Sequence, residues 1–238
     1  MARYFPGTVI GAGRTLEGKP FALYLLTDLA AADRPWHLVP APADRRVRAY
    51  HAGTGEAYAA LAWDGGHLVA SNGSHTDRQP DGRPGGLLDW KDHISAVLLE
   101  WGDVPGQLLH PRIGLRLGAE PHKDAREAPR QGDAGPERTY VAHFGITSPS
   151  YTRSPFMQLE EGEAYTGATF SGRSDRLRTP ALEAWLHQQP MDGRTADELL
   201  EEQAALAHPD FFLGAAAALY DGSWKVAVRN RSGAREHG

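Results

Sequence analysis

The chain has 238 residues, a formal charge of −5 and no cysteine. That length can bury a substantial core without staples, and the missing thiols exclude disulfides, iron–sulfur clusters, zinc fingers and thiol nucleophiles. Arginines and carboxylates interleave, so no nucleic-acid stripe is present. No window nears 18 consecutive apolar residues, so no membrane partner is expected. The start, MARYFPGTVIGAG, lacks the apolar run of a secretion signal, and the expected home is the cytoplasm.

In chain order, TVIGAG and PFALYLLTDL read as strands joined by the turn RTLEGK. WHLVPAP reads as a third strand, ended by its prolines. EAYAALAW and HLVASN flank DGG, a hairpin signal. The polar run SNGSHTD follows (residues 71–77), then a turn-rich loop, RQPDGRPGG. Residues 89–101, DWKDHISAVLLEW, carry Ile94, Val97, Leu98 and Trp101 at i, i+3, i+4 and i+7. With Asp89 as N-cap, they predict a helix. Residues 119–138 lack apolar periodicity and predict an exposed, mobile loop. TYVAHFGIT and EAYTGATFS read as strands. TPALEAWLHQQ, with Pro180 in its first turn, and TADELLEEQAALA, opened by the capping-box pair Thr195 and Glu198, read as helices. FFLGAAAALYDGSWKVAVRN closes the chain as a hairpin about Asp221-Gly222. Strands at both ends with helices between them predict α/β layering. A single domain over 1–238 is expected, with 119–138 the one candidate boundary.

Three motifs invite chemistry. GRTLEGKP imitates a phosphate-binding loop, but Pro20 replaces the magnesium-binding hydroxyl and no helix follows, so a hairpin turn is expected. His51, His67, His75, His93, His110 and His143 show no metal-ligand spacing on a helix, and no metal site is assigned. SNGSHTD offers an amide, hydroxyls, an imidazole and a carboxylate after a strand end. It reads either as an Asx/Ser turn satisfying its own backbone or as a site gripping a polar planar ligand by its edges.

NGSHTD at a strand end, preceded by GHLVAS, resembles the archaeal-type IMP cyclohydrolase family. GTVIGAGRTLEGKPFALY, KDHISAVLLEW and HPRIG are similar to further family segments and fall in the family's order, so the resemblance covers residues 6 to about 117. It implies a four-layer α-β-β-α sandwich like that of the N-terminal-nucleophile hydrolases. Ala2 would lead the processed chain, so the N-terminal nucleophile itself is absent. It also implies closure of a purine ring without metal or cofactor: a carboxamide nitrogen attacks a formamide carbon and water is lost. Two arginines of the family pattern fall on Thr8 and Leu29 here, and a third is kept as Arg34.

What the resemblance implies for the site follows from that chemistry. Tyr58 would donate to the developing oxyanion, and Glu100 or Asp103 would be the base. His75 completes the catalytic candidates. Asn72, Gly73, Ser74, Thr76 and Asp77 would hold base or ribose edges, and Arg34 and Arg112 would meet phosphate or a carboxylate. For Glu100 and Asp103 a solvated helix end is the other reading; for Tyr58, a core tyrosine. The partner would be a purine-like nucleotide or nucleoside, and homo-oligomers are common among such enzymes. Two other functions stay open: a non-catalytic nucleotide-binding protein, and an amide hydrolase using His75 and Asp77.

Overall fold

The structure, a computed structural model, describes residues 7–28, 36–73, 112–120, 139–148, 151–169 and 186–231. Its elements in order are β1 (Gly7–Arg14), β2 (Pro20–Thr27), β3 (Trp36–Ala41), β4 (Arg46–His51), β5 (Ala57–Asp64), β6 (His67–Ser71), β7 (Arg112–Glu120) and β8 (Thr139–Ser148). Then come β9 (Tyr151–Arg153), β10 (Phe156–Gln158), β11 (Glu163–Ala168), β12 (Leu186–Pro190), α1 (Ala196–Ala204), β13 (Phe212–Tyr220) and β14 (Trp224–Asn230). One sheet has the order β12-β11-β1-β2-β13-β14. The other runs β10-β8-β7-β6-β5-β4-β3, with β9 also on β8. Neighbouring strands are antiparallel throughout.

The two sheets meet in one core. Ile10, Tyr24 and Ala216 from the first sheet pack with Leu61, Leu68, Ile113, Leu115 and Phe144 from the second. The opposite face of the first sheet is covered by α1, where Leu199 and Leu200 meet Phe21, Leu23, Leu25, Ala215 and Leu219. This explains why PFALYLLT and FLGAAAALY are almost continuously apolar: their strands are covered on both faces. The alanines of β13 keep the strand thin enough for sheet and helix to approach from either side.

The expected four-layer α-β-β-α sandwich is not what the chain forms. Among the described residues the architecture is two antiparallel sheets face to face, with a single helix, α1, against the outside of one. Part of the difference lies in TPALEAWLHQQ. Its last four residues do not continue a helix but enter β12, where Leu186–Pro190 pair with Glu163–Gly167. At a sheet edge the ladder hydrogen bonds of β11 outweigh a short helical pattern, and such runs are ambiguous by periodicity alone. The expected helix at 89–101 lies outside the described residues. The loop expected at 119–138 is shorter at its start, because Ala119 and Glu120 still pair with Tyr140 and Thr139.

Other expectations hold. GRTLEGKP is a hairpin turn: the Thr15 hydroxyl accepts from the backbone N–H of Glu17 and Lys19, and Gly18 takes the positive φ of 76° the turn needs. α1 starts with the capping box. Thr195 accepts from Glu198 N–H at 3.2 Å, and the Glu198 carboxylate accepts from Thr195 N–H at 3.2 Å. The terminal hairpin turns at 221–223.

One core residue works against the rest. Gln203 on α1 is fully buried, and neither its amide nitrogen nor its oxygen has a hydrogen-bond partner. An unmade buried hydrogen bond costs about 1–3 kcal/mol. Gln203→Met keeps the unbranched shape and removes the polar atoms, so it is expected to stabilise the fold by about 1–2 kcal/mol, read as a higher urea midpoint at unchanged m.

Candidate functional site

The site begins with an irregularity in β5. Val47 of β4 faces Leu61, but the next residue, Arg48, faces Ala59, so Ala60 is an extra residue, a β-bulge. Ala60 and Leu61 both join the core between the sheets, and Ala59 and Ala62 lie together with Val69 in a separate cluster. Tyr58, just before the bulge, packs against the core between the sheets.

There the Tyr58 hydroxyl lies 2.9 Å from the hydroxyl of Tyr24 on β2. Tyr24 is fully buried and Tyr58 half-buried, so Tyr58 is the outer member of the pair. Thr8 is buried on the neighbouring strand β1. Trp36 packs against Tyr58, ring centres 5.6 Å apart at 57°, and His51 meets Trp36 edge-on at 5.0 Å. Tyr24, Tyr58, Trp36 and His51 thus form an aromatic cluster beside the core between the sheets, with Tyr24 the more buried phenol.

Burial pushes the Tyr24 phenol well above the ordinary tyrosine value, and the neighbouring Tyr58 adds to this. Burial also raises Tyr58, while the Tyr24 hydrogen bond and the charge of Arg112 pull it back. Both stay protonated at neutral pH and can donate. The shifts link folding to pH: the neutral forms are favoured in the folded chain. Their contribution is therefore complete below about pH 10, the ordinary tyrosine value, and is lost as pH rises through the folded-state values. Urea midpoints measured across that range are expected to fall with pH in the wild type and to fall less in Tyr24→Phe.

Of the residues singled out in the sequence, Tyr58, Asn72, Gly73 and Arg112 are described. Arg34, Ser74, His75, Thr76, Asp77, Glu100 and Asp103 lie outside the described residues. Asn72 extends the ladder between β6 and β7. Its side-chain oxygen accepts from Ile113 N–H at 2.9 Å, and its own N–H donates to Ile113 O at 3.3 Å. The Ser71 hydroxyl donates to Gly73 O at 3.2 Å. Ser71 thus bonds its own turn, whereas Asn72 bonds across to β7, 41 residues away. Arg112 opens β7, and its charge acts on Tyr58.

Sequence reading missed Tyr24, Thr8, Trp36 and His51. The available signal was Tyr24 itself, the one polar-tipped side chain in PFALYLL, since a buried tyrosine hydroxyl usually finds a partner. The other histidines sit elsewhere. His67 Nδ1 lies 3.3 Å from Arg116 Nη2, and burial with the Arg116 charge lowers its pKa. His143 stacks on Phe156 at 3.8 Å, and burial lowers it too. Among the described residues no three His, Asp or Glu side chains group to hold a metal ion, and no helix is long and apolar enough to cross a membrane. No protein-family model and no curated protein matches the chain.

Proposed function

We propose that the protein is a cyclohydrolase of the IMP cyclohydrolase type, acting in the cytoplasm on a purine-like nucleotide or nucleoside. The observation that carries this reading is the Tyr24–Tyr58 hydroxyl pair beside the core between the sheets, with the Arg112 charge acting on its outer member. The resemblance of NGSHTD and its flanking segments to that family supports it from the sequence.

The reaction needs little chemistry from the protein. The carboxamide nitrogen of the substrate attacks the formamide carbon within one molecule, so holding the two groups in contact removes much of the barrier. The carbonyl oxygen gains negative charge as the C–N bond forms. A protonated phenol in a water-poor site meets that charge with a fixed donor, and Tyr58 has that role. The attacking nitrogen then loses one proton and the formamide nitrogen another, the oxygen gains both, and water leaves as the ring C=N bond forms. Glu100 or Asp103 is the proposed base, and His75 the residue that returns a proton to the leaving oxygen. Arg112 offers a planar fork of donors suited to a phosphate or carboxylate.

The test is direct. Purified protein is mixed with 5-formamidoimidazole-4-carboxamide ribotide without added metal, and the product is followed by mass as the loss of one water. Turnover that falls in Tyr58→Phe and in His75→Ala upholds the reading. Binding of the ribotide without turnover would replace it by a nucleotide-binding protein. Neither binding nor turnover by folded protein would turn attention to amide hydrolysis on non-nucleotide substrates.

A further inference from the structure

We propose that His51 and Trp36 form the subsite for the planar base of the ligand: Trp36 offers a ring face, and His51 offers its Nε2–H to a carbonyl oxygen on the base edge. The class of ligand rests on the cyclohydrolase reading above; the donor role of His51 rests on the geometry of the loop after β4.

Alternation along the strands puts the rings on one side. Val47 and Ala49 of β4 and Leu38 of β3 belong to the core between the sheets. His51 and Trp36 lie two residues from Ala49 and Leu38 on the same strands, so they point the same way. Trp36 lies opposite His51, and Tyr58 opposite Ala49. The three side chains therefore leave one face of the second sheet, beside the Tyr24–Tyr58 hydroxyl pair, and all three are half-buried. Trp36 meets its two neighbours edge-on or tilted, and among the described residues no ring lies flat on it. A flat heterocycle supplies the parallel stack that neither neighbour makes.

The loop after β4 fixes which nitrogen of His51 carries the hydrogen. His51 and Glu56 close this loop: His51 N–H donates to Glu56 O, and Gly55 N–H to His51 O, each at 2.9 Å. Gly55 takes the positive φ of 70° in that tight return. Thr54 is thereby brought over the ring, and its N–H donates to His51 Nδ1 at 3.1 Å. The Thr54 hydroxyl, also 3.1 Å from Nδ1, accepts from Glu56 N–H at 3.3 Å and has its own hydrogen to give. A backbone amide only donates, so Nδ1 accepts and the hydrogen of the neutral ring sits on Nε2. Among the described residues Nε2 has no hydrogen-bond partner. The carboxamide oxygen of the proposed substrate becomes the ring carbonyl of the product and can accept from Nε2–H in both. Such a contact serves ground state and transition state alike, so its effect falls on KM.

The tautomer is read without ligand at about pH 8, above the ordinary histidine range, by long-range proton–nitrogen NMR of the ring. The His51 signals are assigned by their loss in His51→Asn, and Nε2 should carry the hydrogen. Binding is read by calorimetry with two probes, IMP and purine ribotide, which lacks the carbonyl oxygen. Wild-type protein should prefer IMP about tenfold. His51→Asn keeps an acceptor for Thr54 N–H but has no group at the Nε2 position, and should lose the preference. His51→Gln reaches that position with an N–H and should keep most of it. Trp36→Leu should weaken both probes about tenfold, and Trp36→Phe, which keeps a ring face, by less. With the formamido-carboxamide ribotide, His51→Asn should raise KM about tenfold at nearly unchanged kcat.

A hydrogen on Nδ1 would overturn the subsite, as would an IMP preference that survives in folded His51→Asn. A folded wild type that binds neither probe, or does not distinguish them, overturns it too. The expected preference without turnover of the ribotide upholds the subsite and sinks the cyclohydrolase chemistry. Turnover with an unmoved KM in His51→Asn sinks the subsite and leaves the chemistry standing.

Discussion

Tyr58→Phe is expected to lower kcat on the formamido-carboxamide ribotide by about 100-fold or more, the usual cost of removing one oxyanion donor. The substitution is narrow. The ring stays against Trp36, and only the oxygen is lost. The substitution also takes the hydrogen-bond partner from the buried Tyr24 hydroxyl, so the fold should lose about 1–3 kcal/mol, the cost of an unsatisfied buried group. The two effects separate cleanly: steady-state turnover reads the first and urea unfolding the second. Undiminished kcat in Tyr58→Phe would remove Tyr58 from the chemistry. A collapse of stability to match the activity would make it a core residue instead.

The largest expected effect on stability is at the far end of the chain. Asn230, the last residue of β14, uses its side-chain amide as a strand would use its backbone. The oxygen accepts from Leu38 N–H at 2.7 Å, and the nitrogen donates to Leu38 O at 2.8 Å. Leu38 belongs to β3, so this single side chain ties the edge strand of one sheet to the edge strand of the other. Gly214, opposite Asn230, makes the room: a Cβ there would meet the Asn230 oxygen at 2.8 Å and Leu38 Cγ at 3.3 Å. Asn230→Ala orphans both backbone groups of Leu38. At about 1–3 kcal/mol for each unsatisfied group, reduced because Asn230 is only half-buried, the loss should be about 2–3 kcal/mol. Asn230→Asp restores the acceptor but turns an oxygen toward Leu38 O, and should recover little. Urea midpoints for the two variants test this, and a loss below about 0.5 kcal/mol, the range of ordinary surface changes, would mean the staple is ornamental.

Most strands were legible where burial writes itself into a run of residues. β2 and β13 are covered on both faces and read as apolar blocks. α1 announced itself through Thr195 and Glu198. β4 was passed over because Arg46 and Arg48 alternate with Val47 and Ala49 over too short a span to stand out beside WHLVPAP. β7 was seen only as the pattern around Arg112, since Arg116 interrupts its apolar face. β12 reads locally as helix, because the pairing that decides it comes from β11, some twenty residues earlier. The family resemblance implied Tyr58, but not its partner: Tyr24 lies 34 residues away, on the other sheet. No local signal carries a contact of that kind.

The bulge at Ala60 has a consequence for how the site tolerates change in chain length. A bulge sets two successive residues, Ala60 and Leu61, on one side of the sheet, so it takes up an extra residue without changing the alternation beyond it. Deleting Ala60 would leave Leu61 opposite Val47, Ala59 opposite Arg48 and Tyr58 opposite Ala49, with Tyr58 still toward the core between the sheets. An insertion between Tyr58 and Leu61 has no such slack and would turn Tyr58 to the other face. That short stretch should therefore tolerate the loss of a residue better than the gain of one.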